Sequence, residues 1–129
     1  LHDYTLGENT KHILILIKDQ QSEIIDEKSL SFLSGILKAC NLKVNEVAVL
    51  NLLTSGVNDY KILAETFSPV TVLMFGVDPA SISLPVVFPE FQIQPFSNIR
   101  FLAAPSLSVL EGDKTLKARL WTCLQKLFL

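Results

Sequence analysis

The run Ile13-Leu14-Ile15-Leu16-Ile17 constrains this chain more than any other stretch of it. Its residues are apolar without alternation, and the three isoleucines are β-branched. Such a segment favours an extended strand and leaves neither face able to meet water. Strands buried on both faces belong to parallel sheets, because the helices of the crossover connections cover the two sides. Three more apolar segments repeat the pattern: Val47-Ala48-Val49-Leu50, Val70 to Phe75, and Ile99-Arg100-Phe101-Leu102-Ala103.

The segments between them carry helical signals. Ser29 or a near neighbour can cap a helix whose Leu30, Leu33, Ile36, Leu37 and Cys40 fall on one face, with Asn41 as its stop. Thr54-Ser55-Gly56 reads as a turn, Asp59 to Phe67 as a short helix, and Pro69 as the end of that helix. Asp78-Pro79 is a helix start, with Asp at the N-cap and Pro in the first turn, and Pro85 keeps the helix short. Residues 85–98 contain Pro85, Pro89 and Pro95 and read as an irregular loop with one short strand. Gly112-Asp113 begins a final helix in which Leu116, Leu120, Trp121, Cys123, Leu124, Leu127 and Phe128 form one apolar arc.

This alternation predicts right-handed crossovers and a three-layer α/β/α domain around a mostly parallel four-stranded sheet. No repeat or linker divides the chain, so residues 11–129 read as a single domain. Residues 1–10 read as an N-terminal tail whose anchors are Leu1, Tyr4 and Leu6. The chain opens at Leu1 rather than Met, and the tail is expected to be truncated.

Composition narrows the function classes. With 129 residues, 49% of them hydrophobic and 19% charged, the chain can bury one sizeable core and is too apolar to be intrinsically disordered. Eleven Lys and Arg against thirteen Asp and Glu give a net charge of −2, the opposite of the basic excess of a dedicated nucleic-acid binder. Cys40 and Cys123 lack any C-x-x-C spacing and sit in apolar helical stretches, where they read as small structural hydrophobes. Two cysteines are too few for an all-cysteine zinc or iron–sulfur site. The longest uncharged runs, Val47–Asn58 and Thr66–Val77, fall short of the roughly 20 apolar residues that a membrane span needs. No signal-peptide pattern is present. These features predict a reduced, cytoplasmic protein with no membrane association, no metal and no cofactor.

Generic catalytic motifs are absent: there is no G-x-G-x-x-G, G-x-x-x-x-G-K, H-E-x-x-H or G-x-S-x-G. The imidazoles are His2, in the expected tail, and His12, which precedes the first core strand. Ligands of open α/β sheets bind beyond the carboxyl ends of the strands. Those ends supply Lys18-Asp19-Gln20, Asn51, Val77-Asp78 and Ala104-Pro105-Ser106.

From Lys11 to Phe128 the chain resembles the uracil-DNA glycosylase superfamily. The strongest match is Ala104-Pro105-Ser106-Leu107-Ser108-Val109-Leu110, followed by Asp113, Lys117 and Trp121-Thr122-Cys123-Leu124. Glycosylases of this superfamily carry a His-Pro-Ser motif after the last strand, then leucines and a terminal helix. Val49-Leu50-Asn51 is similar to the Leu-Leu-Asn segment whose Asn reads the uracil edge, and Leu16-Ile17-Lys18-Asp19-Gln20 sits where the family has its water-activating loop.

The departures from the family fall on the chemistry. The family's His stabilises negative charge on the departing uracil, whereas Ala104 at that position has no side-chain donor. Ile17 and Gln20 replace the Gly and Pro of the water-activating loop and leave Asp19 alone. The resemblance therefore implies a glycosylase-like fold without enzymatic activity, its former catalytic positions surviving as Asp19, Asn51, Ala104 and Ser106. The psi subunits of the bacterial DNA polymerase III holoenzyme are such non-catalytic members. Their C-terminal region is similar to Ala104–Leu110 and Lys117-Ala118-Arg119-Leu120-Trp121. This second resemblance implies a small adaptor at the replication fork with protein partners, clamp-loader or other replication subunits, and little or no direct DNA binding. The alternative is a divergent uracil-DNA glycosylase of base-excision repair, using Asp19 and Asn51. Apolar surface left for a partner is expected in Pro85–Phe96 or at Trp121, Leu127 and Phe128.

Overall fold

A computed structural model describes residues 2–129, the side chain of His2 excepted; Leu1 and that imidazole lie outside the described part. The apolar run that dominates the sequence is strand β2 (Ile13–Ile17), and all five of its side chains are buried. It lies between β3 (Ala48–Asn51) and β4 (Thr71–Phe75), and β6 (Ile99–Ala104) flanks β4, all four strands parallel. Ile13, Ile15 and Ile17 point to one face of the sheet, Leu14 and Leu16 to the other. Each contributes roughly 1.5–3 kcal/mol of burial free energy.

The sheet is larger than the expected four strands. Among the described residues it has six, in the order β1-β3-β2-β4-β6-β5. The two additions are antiparallel edge strands. β1 (Thr5–Leu6) pairs with β3, so this part of the expected tail belongs to the sheet. It is held there by a close approach at Gly7, whose φ is +96°. A Cβ at that position would come 2.1 Å from the Val47 carbonyl oxygen, a separation only glycine avoids. β5 (Gln94–Phe96) pairs with β6 through a tight turn at Ser97 and Asn98, both with positive φ. Pro95, which has no N–H to donate, sits in an edge strand, where proline is tolerated.

Helices cover both faces. α1 (Glu27–Ala39), α4 (Leu107–Glu111) and α5 (Lys114–Phe128) bury Leu33, Leu37, Leu110, Leu120 and Leu124 against the odd-numbered side chains of β2. On the other face, α3 (Tyr60–Phe67) inserts Leu63 and Phe67, and the segment after β4 adds Ile82, Leu84 and Phe88. Asp59, Asp78 and Asp113 cap their helices as the sequence predicts. At α1 the cap is Asp26 rather than Ser29, and Ser29 instead donates its backbone N–H to the Asp26 carboxylate at 2.8 Å. The turn expected at Thr54-Ser55-Gly56 is the end of one helical turn, α2 (Leu52–Ser55), that Gly56 ends in the left-handed region.

The proline-rich segment crosses from one face to the other. Phe88 belongs to the α3 side, whereas Phe91 and Ile93 pack on the α5 side. Phe91 is fastened on three sides. Its N–H donates to Ala103 at 2.9 Å, its carbonyl accepts from the Cys123 thiol at 3.2 Å, and the Arg119 guanidinium lies 4.5 Å over its ring.

Candidate functional site

The carboxyl ends of β2, β3, β4 and β6 come together at one edge of the sheet, the place where open α/β sheets bind ligands. His12 lies at the amino end of β2, away from it. A cleft of about 360 Å³ opens there between the segment after β2 and the start of α4, lined by Lys18, Asp19, Gln20, Asp26, Ser106 and Leu107 among others. Asp19 and Ser106 therefore share a cavity. Asn51 and Ala104 do not line it. Asn51 is fully buried, and Ala104 is buried where a separate depression runs along Val77, Asp78 and Glu90.

Asn51 spends its whole side chain inside the protein. Its amide nitrogen donates to the carbonyls of Asp19 at 2.8 Å, Ser22 at 3.1 Å and Glu23 at 3.3 Å. Its oxygen accepts from the backbone N–H of Asp19 at 3.0 Å and of Leu53 at 3.1 Å. Three carbonyls face the nitrogen and two N–H groups face the oxygen, so one amide orientation satisfies every partner. The residue that ends β3 thus ties the 18–23 loop to the sheet and caps α2.

Asp19 is consumed in the same way. One carboxylate oxygen accepts from the Gln21 N–H at 2.8 Å, the other from the Ser22 hydroxyl at 2.7 Å and the Asp26 N–H at 2.8 Å. Partial burial pushes its pKa up, but the Ser22 hydroxyl and the Gln21 and Asp26 amides together hold it below the ordinary carboxylate value. A carboxylate so stabilised is a weak proton acceptor. Its geometry is that of a loop fastener: it closes the turn after β2 and delivers Asp26 to cap α1.

The ends of β4 and β6 are filled by packing. Gly76, at φ +67°, lies so close to Ser106 that a Cβ would come 2.9 Å from the Ser106 Cβ. The Gly76 N–H donates to the Ala104 carbonyl at 2.9 Å. The Ser106 hydroxyl lies 3.4 Å from the Val109 N–H at the start of α4 and 3.2 Å from the Ser108 hydroxyl. The segment matching the glycosylase His-Pro-Ser motif is here a strand end and a helix cap.

The charge around the cleft is mixed and leans acidic. Lys18 stands beside Asp19 and Asp26, and the adjoining hollow adds Lys28, Glu27 and Glu111, with Lys28 paired to Glu111 at 3.3 Å. Among the described residues no group of three His, Cys, Asp or Glu side chains could hold a metal ion, and no helix is long and apolar enough to cross a membrane. Cys40 and Cys123 are free and buried, and burial pushes both thiols up.

Sequence reasoning identified Asp19 and Asn51 but not their partners. Ser22, Glu23 and Asp26 complete the network, each of them through a backbone group. A signal was present only for Asp26, which stands three residues before Ser29 in a capping pattern. Neither a scan against protein-family models nor a search of curated proteins finds a match to this chain.

Proposed function

We propose that this chain is a non-enzymatic protein-interaction subunit on a uracil-DNA glycosylase-like fold, of the type of the DNA polymerase III psi subunits, bridging the clamp loader and its partners at the replication fork. The fold reading draws on the four parallel central strands, the helices on both faces, and the run of Ala104-Pro105-Ser106 from the last strand into a helix. The functional reading rests chiefly on one observation. Asn51 and Asp19 have turned their hydrogen-bonding capacity inward, onto the loop between them, and Ala104 offers no donor beside them. A base-reading amide must present its edge to a ligand, and this one has no free valence.

Electrostatics points the same way. A phosphate backbone needs compensating cations, whereas the cleft carries Asp19, Asp26, Glu27 and Glu111 against Lys18 and Lys28. The divergent-glycosylase alternative has the cleft itself in its favour, since Asp19 and Ser106 still line it.

A pull-down of the full-length protein against the clamp-loader subunits of its own organism tests the proposal. The expected result is a complex at micromolar concentration that survives Asp19→Asn. No association at that concentration removes the adaptor reading.

A further inference from the structure

On the opposite flank of α1 from its capping loop, the protein carries an apolar groove of about 390 Å³ between α1 and α5. Phe32 and Ile36 form one wall, and Leu120, Trp121 and Leu124 the other. α4 packs against both helices. The small residues Gly35 and Ala39 lie one turn apart on the α1 side. Nothing comes within 4 Å of a Cβ placed on Gly35, so this part of the groove is open space. Phe32, Ile36 and Trp121 are only half-buried.

Charge is distributed unevenly along the groove. Lys117 is the charged residue in its lining, and Lys114 lies one turn earlier on α5. Neither makes an ion pair among the described residues, and no acidic side chain lines the groove. The lining of α1 runs from Ser31 to Ala39, about 12 Å at the helical rise, which matches two to three turns of a partner helix.

We infer that this groove binds an acidic amphipathic helical segment of a partner protein, its apolar face on Phe32, Ile36 and Trp121 and its carboxylates on Lys114 and Lys117. The inference deepens the adaptor reading and rests on it for the existence of a protein partner. A second copy of this chain fits less well, because the same patch on a second copy brings no carboxylate to the lysines. Nucleic acid fits less well, because the lining is mostly apolar and carries one cation, Lys117, where a phosphate backbone needs several.

Trp121 is the single tryptophan of the chain, so its fluorescence reports on the groove directly. The test titrates the full chain with two designed 14-residue helical peptides. Both carry leucines at i, i+3, i+7 and i+10; one has glutamates on its polar face, the other lysines. The glutamate peptide is expected to shift Trp121 emission to the blue, saturably, and to bind at least tenfold more tightly than the lysine peptide. Lys117→Glu should reduce that preference at least tenfold. Gly35→Leu should weaken both peptides tenfold or more; it fills an exposed helical position with a better helix former, and circular dichroism checks that the fold is kept. Equal affinity for the two peptides, no response from Trp121, or a concentration-dependent dimer that Gly35→Leu abolishes would each overturn the inference. Clamp-loader association that persists unchanged in Gly35→Leu removes the groove and leaves the adaptor reading standing. Peptide binding without clamp-loader association does the reverse.

Discussion

The cleft at the strand ends and the groove between α1 and α5 are both concave, of similar volume, and formed in part by the same helix. They differ in what they leave unspent. At the strand ends the two candidate residues already have partners: Asn51, buried behind the cleft, makes five hydrogen bonds and the Asp19 carboxylate in its lining makes three, all within the chain. In the groove Phe32, Ile36 and Trp121 are left half-covered, and the nearby lysines lack counter-charges. Chemistry needs free polar groups aimed at a reacting atom. Docking needs apolar surface with a charged rim. On the proposed reading, the cleft is structural and the groove recognises a partner.

The largest effect that can break this assignment is at Asn51. Its truncation in Asn51→Ala strands the Asp19 and Ser22 carbonyls and the Asp19 and Leu53 N–H groups at a buried position, while the Glu23 carbonyl keeps the Thr54 hydroxyl. The expected loss is about 3 kcal/mol or more of unfolding free energy, read from urea denaturation. A binding residue idle in the free protein would cost far less, and a loss under 1 kcal/mol would reopen the ligand-reading role.

Asp19 comes next. Asp19→Ala removes three charge-assisted hydrogen bonds from a partly exposed loop, at an expected cost of about 2 kcal/mol. The pH dependence has a definite sign. Because the folded pKa lies below the ordinary value of 3.8, the stabilisation is fully present above the unfolded pKa and is lost as pH falls through the folded one. Natural protein should lose stability between about pH 5 and pH 2 more steeply than Asp19→Asn, which cannot ionise. Parallel pH profiles of the two would contradict the fastening role.

The smallest effect belongs to the groove. Trp121 is half-buried, so Trp121→Ala should cost only about 1–2 kcal/mol, well under the 3–5 kcal/mol of a core aromatic. The same change should abolish binding of the glutamate peptide, followed by calorimetry because the fluorophore is gone. A core-sized loss of stability would mean that Trp121 serves packing, and the contrast with the cleft would narrow.

The legibility of these two regions from sequence differed for physical reasons. β2 was readable because a doubly buried strand leaves an unbroken apolar run, β4 and β6 because their runs are interrupted only by Thr71 and Arg100, and α5 because its arc recurs at helical spacing. β1 was not, since two residues on a sheet edge carry no period, and β5 was readable only as one short strand somewhere in residues 85–98. α4, five residues long, is equally below the length at which spacing speaks. At the cleft, Asp19 and Asn51 could be named, but their bonding could not. Asn51 binds the carbonyls of Asp19, Ser22 and Glu23, and a carbonyl looks the same under any residue. The groove was half legible: Trp121 stood out as a surplus apolar residue, whereas Leu127 is buried, Phe128 lies outside the groove, and Gly35 gave no sign of lining a cavity.

The central claim is that the strand ends hold the fold together and perform no excision. Uracil release from a single-stranded oligonucleotide tests it most directly, with micromolar protein and alkaline cleavage of any abasic site. The account predicts an intact oligonucleotide for the natural chain and for Asp19→Asn alike. Excision by the natural chain that disappears in Asp19→Asn would contradict it.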